Sequence, residues 1–536
     1  MTRLGTAVNG VRFAHGLRSI VRHPQTLEGA KRTVAEEVAR RPERFLDSIA
    51  TLVWPYPSSP TRRLLEAAGL EQADVRALVV ERGLDDALGA LRYAGVYVSY
   101  EEYHGRADAR RGSATLSFQP SDFFNPTVTA DYMATTGGSR GKGTPVELTW
   151  AWQRYQGLKH PIQNELSGAG DAPVAVWLPV FPSAAGFGAV VKLAAGGRVP
   201  GRWFSQIPTD ISGIAAHKQL ANRFLPALNA LTRSGLPSPE HVPTDEPGPV
   251  VQWLVETVAR HGGAVVIGYA SSITAAARYA AEHDVDLTGV VAYPASEPVT
   301  VGKLAAMRGA GMRPFSGYAF VPEGVVATAC DRCDDEEYHL WDHEAAVTTR
   351  TRPRDDGAEV DAFLWTSLSP GAPRVLVNVE NDDYGAVRHG VACDCAYGRI
   401  GLRTRVADIR GISKVVAAGI SLDGETFDRL VEVVLPARLG GGPGDYQFVE
   451  EEGPSGTVVS LRIHPRLASV DPDAAVAVVR DGLRATENGV LADRVWSAGE
   501  GLRVVRAPAA VTQAGKTLSF ERIATAPRPA AALERP

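Results

Sequence analysis

One stretch of the chain, residues 133–149, combines glycines, hydroxyl side chains and cations in a way that could bind an oxygen-rich anion. Glycine tolerates positive φ and lets a ligand approach closely, so such a loop can direct several backbone N–H groups toward one point. The hydroxyls and two cations would add further donors, and a polyphosphate is the ligand that best matches them. The candidate binding residues are Thr135, Thr136, Gly137, Gly138, Ser139, Arg140, Gly141, Lys142 and Thr144.

The same stretch does not match the P-loop of nucleotide-hydrolysing proteins. That motif needs a leading glycine where this chain has Thr136, and a serine or threonine after its lysine where this chain has Gly143. Taken alone, a Gly/Ser-rich segment is more often a flexible surface loop. The interpretation as a phosphate-binding loop therefore depends on the rest of the chain.

Length and charge narrow the class of protein. At 536 residues, the chain exceeds the size at which a single hydrophobic core usually stops growing, which predicts two or more domains. A net charge of −5 without a clustered basic face argues against a nucleic-acid partner. The first 24 residues lack an uninterrupted apolar segment, so we expect neither a signal peptide nor a membrane span.

All four cysteines occur in two close pairs, Cys330 with Cys333 and Cys393 with Cys395. They are too few for a fold held together by disulfides, and the pairing is more typical of metal binding in a reducing cytoplasm. With His339 and His343 added, they offer more ligands than one tetrahedral Zn²⁺ needs. Four unconnected thiols are the alternative, and we favour the metal because every cysteine belongs to a close pair.

Apolar periodicity predicts the larger part of the architecture. Apolar residues at helical spacing predict helices over 26–39, 60–68, 72–81 and 84–94 within a mostly helical segment, residues 1–110. Strands are then predicted at 172–178, 264–269 and 289–293, and helices at 250–261, 272–283 and 299–310. Residues 181–188 are predicted to open a further helix that runs to about residue 195. This alternation predicts an α/β domain with a largely parallel sheet, whose ligands bind beyond the carboxyl ends of the strands. Glu297 and residues 318–323 are expected in loops of that kind, and 363–368 and 374–379 are expected to be paired strands.

The character of the sequence changes after residue 410. Helical and extended patterns follow in the order helix 425–435, strands 445–450 and 457–463, helix 473–485 and strand 502–506. This αββαβ order predicts a small, separate α+β domain. We therefore expect one domain over 1–410, a second over 411–523, and a disordered Ala/Pro-rich tail over 524–536.

The order of these features resembles the adenylate-forming superfamily, specifically its phenylacetate-CoA ligase-like branch, over about residues 57–520. Residues 135–145 are similar to the family's phosphate loop, and 296–300 to its Gly-Glu-Pro segment beside adenine, which places Glu297 in the ATP site. Residues 317–324 resemble its Tyr-Gly-x-x-Glu segment. This resemblance implies that Tyr318 stacks on adenine and that Glu323 holds Mg²⁺.

Three further positions match functional residues of the same family. Residues 377–383 are similar to its Tyr-Arg-Thr-Gly-Asp segment, which implies that Asp383, or its neighbour Asp382, binds the ribose hydroxyls. Arg410 matches the arginine of the hinge between the two domains. Lys516 matches the lysine of a C-terminal Gly-Lys loop that enters the site during adenylation.

The resemblance also implies a fold and a reaction. The fold is a large N-terminal α/β domain with mixed sheets and a small C-terminal α+β domain that rotates on the hinge. The reaction is attack of a small-molecule carboxylic acid on MgATP to give an acyl-adenylate and pyrophosphate, followed by transfer to a thiol. Residues 411–414 lack the family's acidic pair, so the acceptor stays open between coenzyme A, a carrier-protein phosphopantetheine, an amine and a protein side chain.

Other readings of the whole chain also stay open. A non-catalytic relative that binds nucleotide or acyl chains is the main alternative, although it would have little need of a mobile Lys516. The nature of the acid is open between aryl, fatty and amino acids and an unusual oxyanion, with apolar residues around 177–187 favouring the first two. A dimer is possible.

The cysteine pairs also have counterparts in this family. Some phenylacetate-CoA ligase-like proteins carry a zinc cluster at matching places, which implies Cys330, His339, Cys393 and Cys395 as ligands. Cys333 is the alternative to His339 as the fourth ligand, because four thiolates would bind zinc equally well. With four protein ligands such a site would be structural rather than catalytic.

Overall fold

The computed structural model describes residues 3–135, 145–180, 185–208, 234–296, 299–320, 324–353, 359–412, 415–417, 420–422, 424–453, 456–484, 502–511 and 516–523. The chain divides into two compact units, which are described separately. The first contains Met1–Ile412 with Gln513–Gly515, and the second contains Ser413–Thr512 with Lys516–Pro536. The boundary predicted from the sequence, between residues 410 and 411, falls two residues before the one observed.

The first unit contains seventeen strands among its described residues. They are β1 Ala109–Arg111, β2 Ala114–Leu116, β3 Tyr132–Thr135, β4 Pro145–Leu148, β5 Val174–Trp177, β6 Arg202–Ser205, β7 Pro239–His241, β8 Ala264–Tyr269, β9 Val290–Ala295, β10 Arg313–Pro314, β11 Gly317–Phe320, β12 Gly324–Thr328, β13 Glu337–Leu340, β14 Ala345–Pro353, β15 Glu359–Ser367, β16 Val379–Arg388 and β17 Arg405–Gly411.

Helices cover much of the N-terminal segment and alternate with the strands after it. Thr26 begins one of them by accepting a hydrogen bond from the backbone N–H of Gly29, as an N-cap residue does. Seven of the predicted helices are confirmed with shifts of one or two residues, and the helix predicted to open over 181–188 is described from Ala185 to Ala195. The helices over 3–22, 41–48, 100–103, 150–156, 159–167 and 396–399 were not predicted. The α-helices are Arg3–Arg22, Leu27–Ala39, Arg41–Ser48, Pro60–Ala67, Gln72–Arg82, Leu84–Tyr93, Tyr100–Tyr103, Trp150–Gln156, Lys159–Ser167, Ala185–Ala195, Gly248–His261, Ala270–Glu282, Val301–Gly309 and Ala396–Arg399.

A parallel sheet of six strands, in the order β10-β9-β8-β5-β6-β7, confirms the predicted α/β class. All four residues of β5 are buried, as expected for a strand covered on both faces. Helix Ala185–Ala195 contributes to the core on one face, and helices Gly248–His261 and Ala270–Glu282 contribute to the core on the other. The chain moves outward from β5 in one direction and from β8 in the other, so the switch in strand order lies between β5 and β8. A ligand-binding crevice is expected there, beyond their carboxyl ends.

The second large sheet is antiparallel and has seven strands in the order β11-β12-β13-β17-β16-β15-β14. The N-terminal helices between residues 41 and 93 bury apolar residues such as Phe45 and Leu88 against it. The predicted strand over 374–379 is wrong, because the partner of β15 begins only at Val379. Residues before it run irregularly, and there Asn378 takes a positive φ of 51°.

The second unit confirms the predicted α+β class. Its strands are β18 Val415–Ala417, β19 Ile420–Leu422, β20 Tyr446–Gly453, β21 Gly456–Ile463, β22 Leu502–Arg506 and β23 Phe520–Ile523, and its α-helices are Gly424–Arg429, Leu435–Leu439 and Pro472–Leu483. β20 and β21 form the predicted hairpin, in a four-stranded sheet ordered β22-β21-β20-β23. The predicted αββαβ order was incomplete, because it lacked the hairpin of β18 and β19 and the edge strand β23. The predicted tail, residues 524–536, lies outside the described residues.

None of the helices in the described ranges combines the length and the apolar character that crossing a membrane would require.

Candidate functional site

Three polar side chains meet on the antiparallel sheet, where β11 and β16 contribute to it. The Tyr318 hydroxyl donates a hydrogen bond to Oδ2 of Asp383 at 2.5 Å, although 65 residues separate the two in sequence. Asn381 joins them: its Nδ2 lies 2.7 Å from the Tyr318 oxygen and 3.1 Å from Oδ2 of Asp383. The structure thus brings together two of the residues that the resemblance assigned to ATP. It adds Asn381, which the sequence interpretation had missed.

The ring of Tyr318 is fixed from one side by aromatic packing. It stacks on Trp365 of β15 with the ring centroids 5.9 Å apart and 27° between the planes. Burial, followed by the neighbouring charge of Asp383, raises the pKa of the Tyr318 hydroxyl well above its ordinary value. The hydroxyl therefore stays protonated at neutral pH and can only act as a donor toward Asp383. The earlier expectation that Tyr318 lies in a loop was wrong, because it is the second residue of β11.

Arg410 lies on β17, next to β16 in the sheet. In register it stands opposite Tyr384, while Asp383 stands opposite Gly411. Its guanidinium donates to Oε2 of Glu336 at 2.8 Å, an ion pair that orients the side chain. Arg410 therefore lies on the strand next to that of Asp383, one residue away from the position directly opposite Asp383.

Asp382 differs from its neighbour in conformation. It has a positive φ of 71°, which is uncommon for a residue other than glycine, and its backbone oxygen accepts from the N–H of Ile412 at 2.8 Å. The tight backbone at this point helps to fix the position of Asp383. Between the two alternatives left open by the sequence, it is Asp383 that joins Tyr318 and Asn381.

Several predicted ATP-site residues lie outside the described residues. These are Thr136, Gly137, Gly138, Ser139, Arg140, Gly141, Lys142, Thr144, Glu297 and Glu323. Thr135 is described as the last residue of β3, and β3 pairs with β4 so that Thr135 stands opposite Pro145. The predicted phosphate loop is thus the connection of this two-stranded hairpin. Lys516 is described and belongs to the second unit.

A cluster of metal-ligand types forms beside the antiparallel sheet. The ligand atoms of Cys330, His339, Cys393 and Cys395 all lie within 4.8 Å of one another. The Sγ atoms of Cys330 and Cys393 are 4.0 Å apart, and Sγ of Cys395 is 3.5 Å from Nε2 of His339. His339 comes from β13, while Cys395 precedes the short helix Ala396–Arg399. Two segments about 60 residues apart in sequence therefore converge on one point.

These separations fit a tetrahedral zinc ion. Zn–S bonds of about 2.3 Å place two sulfur ligands about 3.8 Å apart, close to the distance between Cys330 and Cys393. Hydrogen bonding with Cys333 raises the pKa of the Cys330 thiol to about 12, and Cys330 raises that of Cys395 to about 11. Thiols this close to one another retain their protons, and binding of a divalent cation would release those protons.

Cys333 is a fifth possible donor. Its Sγ lies 3.2 Å from that of Cys330, closer than two ligands of one tetrahedral ion usually approach. Cys333 is also not among the four residues whose ligand atoms lie within mutual reach. This geometry favours His339 over Cys333 as the fourth ligand.

A buried ionic cluster was not predicted from the sequence. Lys159 is 3% exposed and pairs with Glu344, which is 1% exposed, and it also donates to Oε1 of Gln156 at 2.8 Å. Lys192 lies beside them, and burial lowers the pKa of its ammonium to about 8. The one hint of this cluster in the sequence was Lys192, which lies within an otherwise apolar helix. A lysine in such a position usually extends its ammonium to solvent, so a buried cluster was not expected.

The first unit is thus an α/β protein whose parallel sheet has a switch in strand order, and whose antiparallel sheet carries the site of Tyr318 and Asp383. No family model matches the chain, and no curated protein matches it in sequence. Among solved structures, it is similar to a 2-hydroxyisobutyryl-CoA ligase in complex with 2-HIB-AMP in the postadenylation state, with 14% identity over 91% of this chain and 89% of that chain, at a TM-score of 0.49.

Two other solved structures are similar over smaller parts of the chain. One is the O-succinylbenzoate coenzyme A synthetase of Bacillus subtilis in complex with AMP, with 11% identity over 73% of this chain and 68% of that chain and a TM-score of 0.41. The other is the McyG A-PCP protein complexed with phenylalanyl-adenylate, with 12% identity, 73% and 65% coverage and a TM-score of 0.40. Because each TM-score is below 0.5, the function is inferred below from the residues of this chain.

Proposed function

We propose that this protein is an ATP-dependent ligase of the adenylate-forming superfamily that activates a small-molecule carboxylic acid as its acyl-adenylate. The observation that carries the proposal is the hydrogen bond between Tyr318 and Asp383. The resemblance assigned these residues to adenine and ribose from two separate motifs. Their meeting at 2.5 Å supports a common nucleotide site. The phenylacetate-CoA ligase-like branch is part of the same proposal.

Each assigned residue has a proposed role in binding MgATP. Tyr318 would present its ring to adenine beside Glu297, and Asp383 would accept hydrogen bonds from the ribose hydroxyls. Residues 135–144 would bind the β- and γ-phosphates through backbone amides, hydroxyls and the two cations. Glu323 would hold Mg²⁺, which supplies neutralisation of phosphate charge. Arg410 would add a fixed positive charge near the ribose and the hinge.

The chemical step needs charge neutralisation rather than a base. A carboxylic acid is already ionised at neutral pH, so it can attack the α-phosphate directly. Two anions must meet, however, and negative charge accumulates on the phosphoryl oxygens. Lys516 would pair with the α-phosphate and the attacking carboxylate together, which favours the transition state over the separated reactants.

A second half-reaction would transfer the acyl group to a thiol of coenzyme A or of a carrier protein. Rotation of the small C-terminal domain would remove Lys516 and admit that acceptor, a domain-closure mechanism. Cytoplasmic location follows as part of the proposal, since reduced thiols and coenzyme A are found there. An amine or a protein side chain is the alternative acceptor.

Exchange of labelled pyrophosphate into ATP tests the proposed activity. A panel of aryl, fatty, dicarboxylic and amino acids is offered to the purified full-length protein with MgATP. We expect acid-dependent exchange with at least one class. ATP binding without exchange for any acid would instead indicate a non-catalytic nucleotide-binding relative.

Asp383→Asn is expected to raise KM for ATP by about 10- to 100-fold, because a charged acceptor of two ribose hydroxyls is lost. Tyr318→Phe removes only the hydroxyl that donates to Asp383, and we expect it to raise KM for ATP by less than about 10-fold. The measurement is pyrophosphate exchange at saturating acid and varied ATP. Asp361→Asn is the matched control, since Asp361 lies on β15 of the same sheet and is exposed there. Equal effects of Asp383→Asn and Asp361→Asn would contradict the assignment.

We further propose that Cys330, His339, Cys393 and Cys395 bind a structural Zn²⁺. The site would connect the turn after β12, strand β13 and the segment before helix Ala396–Arg399. The three cysteines share an apolar cluster with Trp341 and Tyr397, and the ring of His339 packs against Tyr397 with the centroids 5.5 Å apart. With four protein ligands, the ion would have no open position for a substrate.

A further inference from the structure

One face of helix Ala185–Ala195 carries three small residues followed by a lysine in its last turn. Ala185, Gly188, Ala189 and Lys192 follow the i, i+3, i+4, i+7 spacing that places residues on one face. Gly188 is buried, yet a Cβ built on it would meet no atom of the described residues within 4 Å. There is thus room beside a buried backbone, in a helix that follows β5 at the switch in strand order.

Among the described residues, the ammonium of Lys192 has no ion pair of its own, and only the more distant charge of Glu344 acts to raise its pKa. The nearest carboxylate in the cluster, Glu344, already pairs with Lys159. Neither an ion pair nor a hydrogen bond joins the Lys192 ammonium to any residue that the structure describes. Burial lowers the pKa of His160 to about 3, so this neighbouring imidazole is neutral at pH 7 and does not balance the charge of Lys192. Lys159 and Lys192 thus share the single carboxylate of Glu344.

The position of this ammonium relates it to the proposed ATP site. A Cβ built on Gly324 would lie 3.6 Å from Nζ of Lys192 and 3.5 Å from Oε1 of Gln156. Gly324 begins β12 and directly follows Glu323, the proposed Mg²⁺ ligand. Gly188 lies one turn before Lys192 on the same helix face, a rise of about 6 Å at about 1.5 Å for each residue.

A partly desolvated ammonium without a counter-ion is costly, and two outcomes can relieve the cost. The group can lose its proton more readily, which the lowered pKa of Lys192 reflects. Alternatively, an anionic ligand can supply the missing charge through a short, charge-assisted hydrogen bond. The ammonium lies beside Gly324, the residue after the proposed Mg²⁺ ligand, where an anionic group of a bound substrate could reach it, which favours the second outcome.

We propose that Lys192 binds a second acidic group at the far end of the substrate, so that the acid adenylated is a dicarboxylic acid. This inference rests on the proposed function and names its substrate class. One carboxylate reacts at the α-phosphate, and the other lies against the Lys192 ammonium. The aryl or fatty acids favoured by the apolar residues around 177–187 would leave that ammonium without a counter-charge.

Pyrophosphate exchange with matched pairs of acids tests this assignment. Each straight-chain dicarboxylic acid of four to eight carbons is compared with the monocarboxylic acid of the same length. For the best pair, we expect the wild-type protein to prefer the dicarboxylic acid by about 100-fold in kcat/KM. Lys192→Met should abolish that preference, mainly by slowing the dicarboxylic acid, and Lys192→Arg should keep part of it. KM for ATP should stay unchanged.

Lys31→Met is the matched control, because Lys31 lies on helix Leu27–Ala39 and pairs with Glu165 away from this helix face. It should keep the wild-type preference, and thermal unfolding should show that every variant is folded. Equal exchange with both acids of each pair, unchanged in Lys192→Met, would overturn this inference while the proposed activity stands. An effect of Lys192→Met confined to KM for ATP would overturn it too, by assigning the ammonium to a phosphate. Exchange with no acid at all would overturn the proposed function itself.

Discussion

Lys516→Ala is expected to lower the rate of acid-dependent pyrophosphate exchange by about 100- to 1000-fold while changing the Kd for ATP little. The reason is that a donor fixed at the point where charge develops acts mainly on the transition state, and removing one typically costs this much in kcat. In the ground state, ATP would keep the contacts proposed for Asp383 and for residues 135–144. The measurements are exchange at saturating substrates and ATP binding by calorimetry.

Arg503→Ala is a suitable control for this variant, because Arg503 is an exposed cation on β22 of the same unit. It removes one positive charge from the small unit and leaves Lys516 itself in place. We expect exchange at the wild-type rate. A Lys516→Ala protein that exchanges as fast as Arg503→Ala would refute the assigned role. Equal losses in both variants would point to a general effect of charge on this unit.

Cys395→Ser is expected to remove the metal and to destabilise the first unit by about 3 kcal/mol or more. For a unit of this size, with an unfolding entropy of about 2.1 cal/mol/K for each residue, a loss of that size corresponds to a decrease in Tm of about 3–4 °C. Purified wild-type protein should contain one zinc ion per chain by elemental analysis, and Cys395→Ser should contain almost none. Because the proposed site is structural, pyrophosphate exchange at low temperature should survive in whatever fraction stays folded.

Cys333→Ser provides a matched control, with the same substitution at a thiol only 3.2 Å from Cys330. If His339 is the fourth ligand, the Cys333→Ser protein should contain zinc and unfold at the wild-type Tm. The His339→Ala protein should contain almost no zinc and unfold at a lower Tm. The reverse pattern would assign four thiolates to the ion. Full stability in metal-free Cys395→Ser would contradict a structural role for the cluster.

The local sequence was sufficient to predict many of the helices and three strands of the parallel sheet, β5, β8 and β9, whereas β6, β7 and β10 were not predicted. Residues 264–269 are apolar throughout and are bounded by residues that favour turns, and they form β8 with the predicted limits. The prediction failed where tertiary contacts decide the backbone. Residues 374–378 contain apolar side chains suited to a strand, but the side chain of Asn378 donates to the backbone oxygens of Leu88 and Val96, and a positive φ interrupts extension.

The small unit shows the same limit in another form. β23 has only four residues, and its pattern alone does not distinguish it from the tail that follows. It becomes a strand because it pairs in parallel with β20, where Phe448 stands opposite Phe520. The ring of Phe520 also packs against Phe427 with the centroids 4.7 Å apart. Pairing and burial of this kind come from residues some 70 positions away, which a local window cannot contain.

By itself, the sequence determined which kinds of residue are available for chemistry and in which order they occur: a glycine-rich loop, Tyr318, Asp383, a terminal lysine and two pairs of cysteines. Only the tertiary structure decided which of them meet. It joined Asp383 to Tyr318 and Asn381, placed His339 within reach of three thiols, and left the ammonium of Lys192 beside an ion pair that is already complete. The physical reason is that side-chain type is a local property, whereas distance, burial and charge balance depend on packing between segments far apart in the chain.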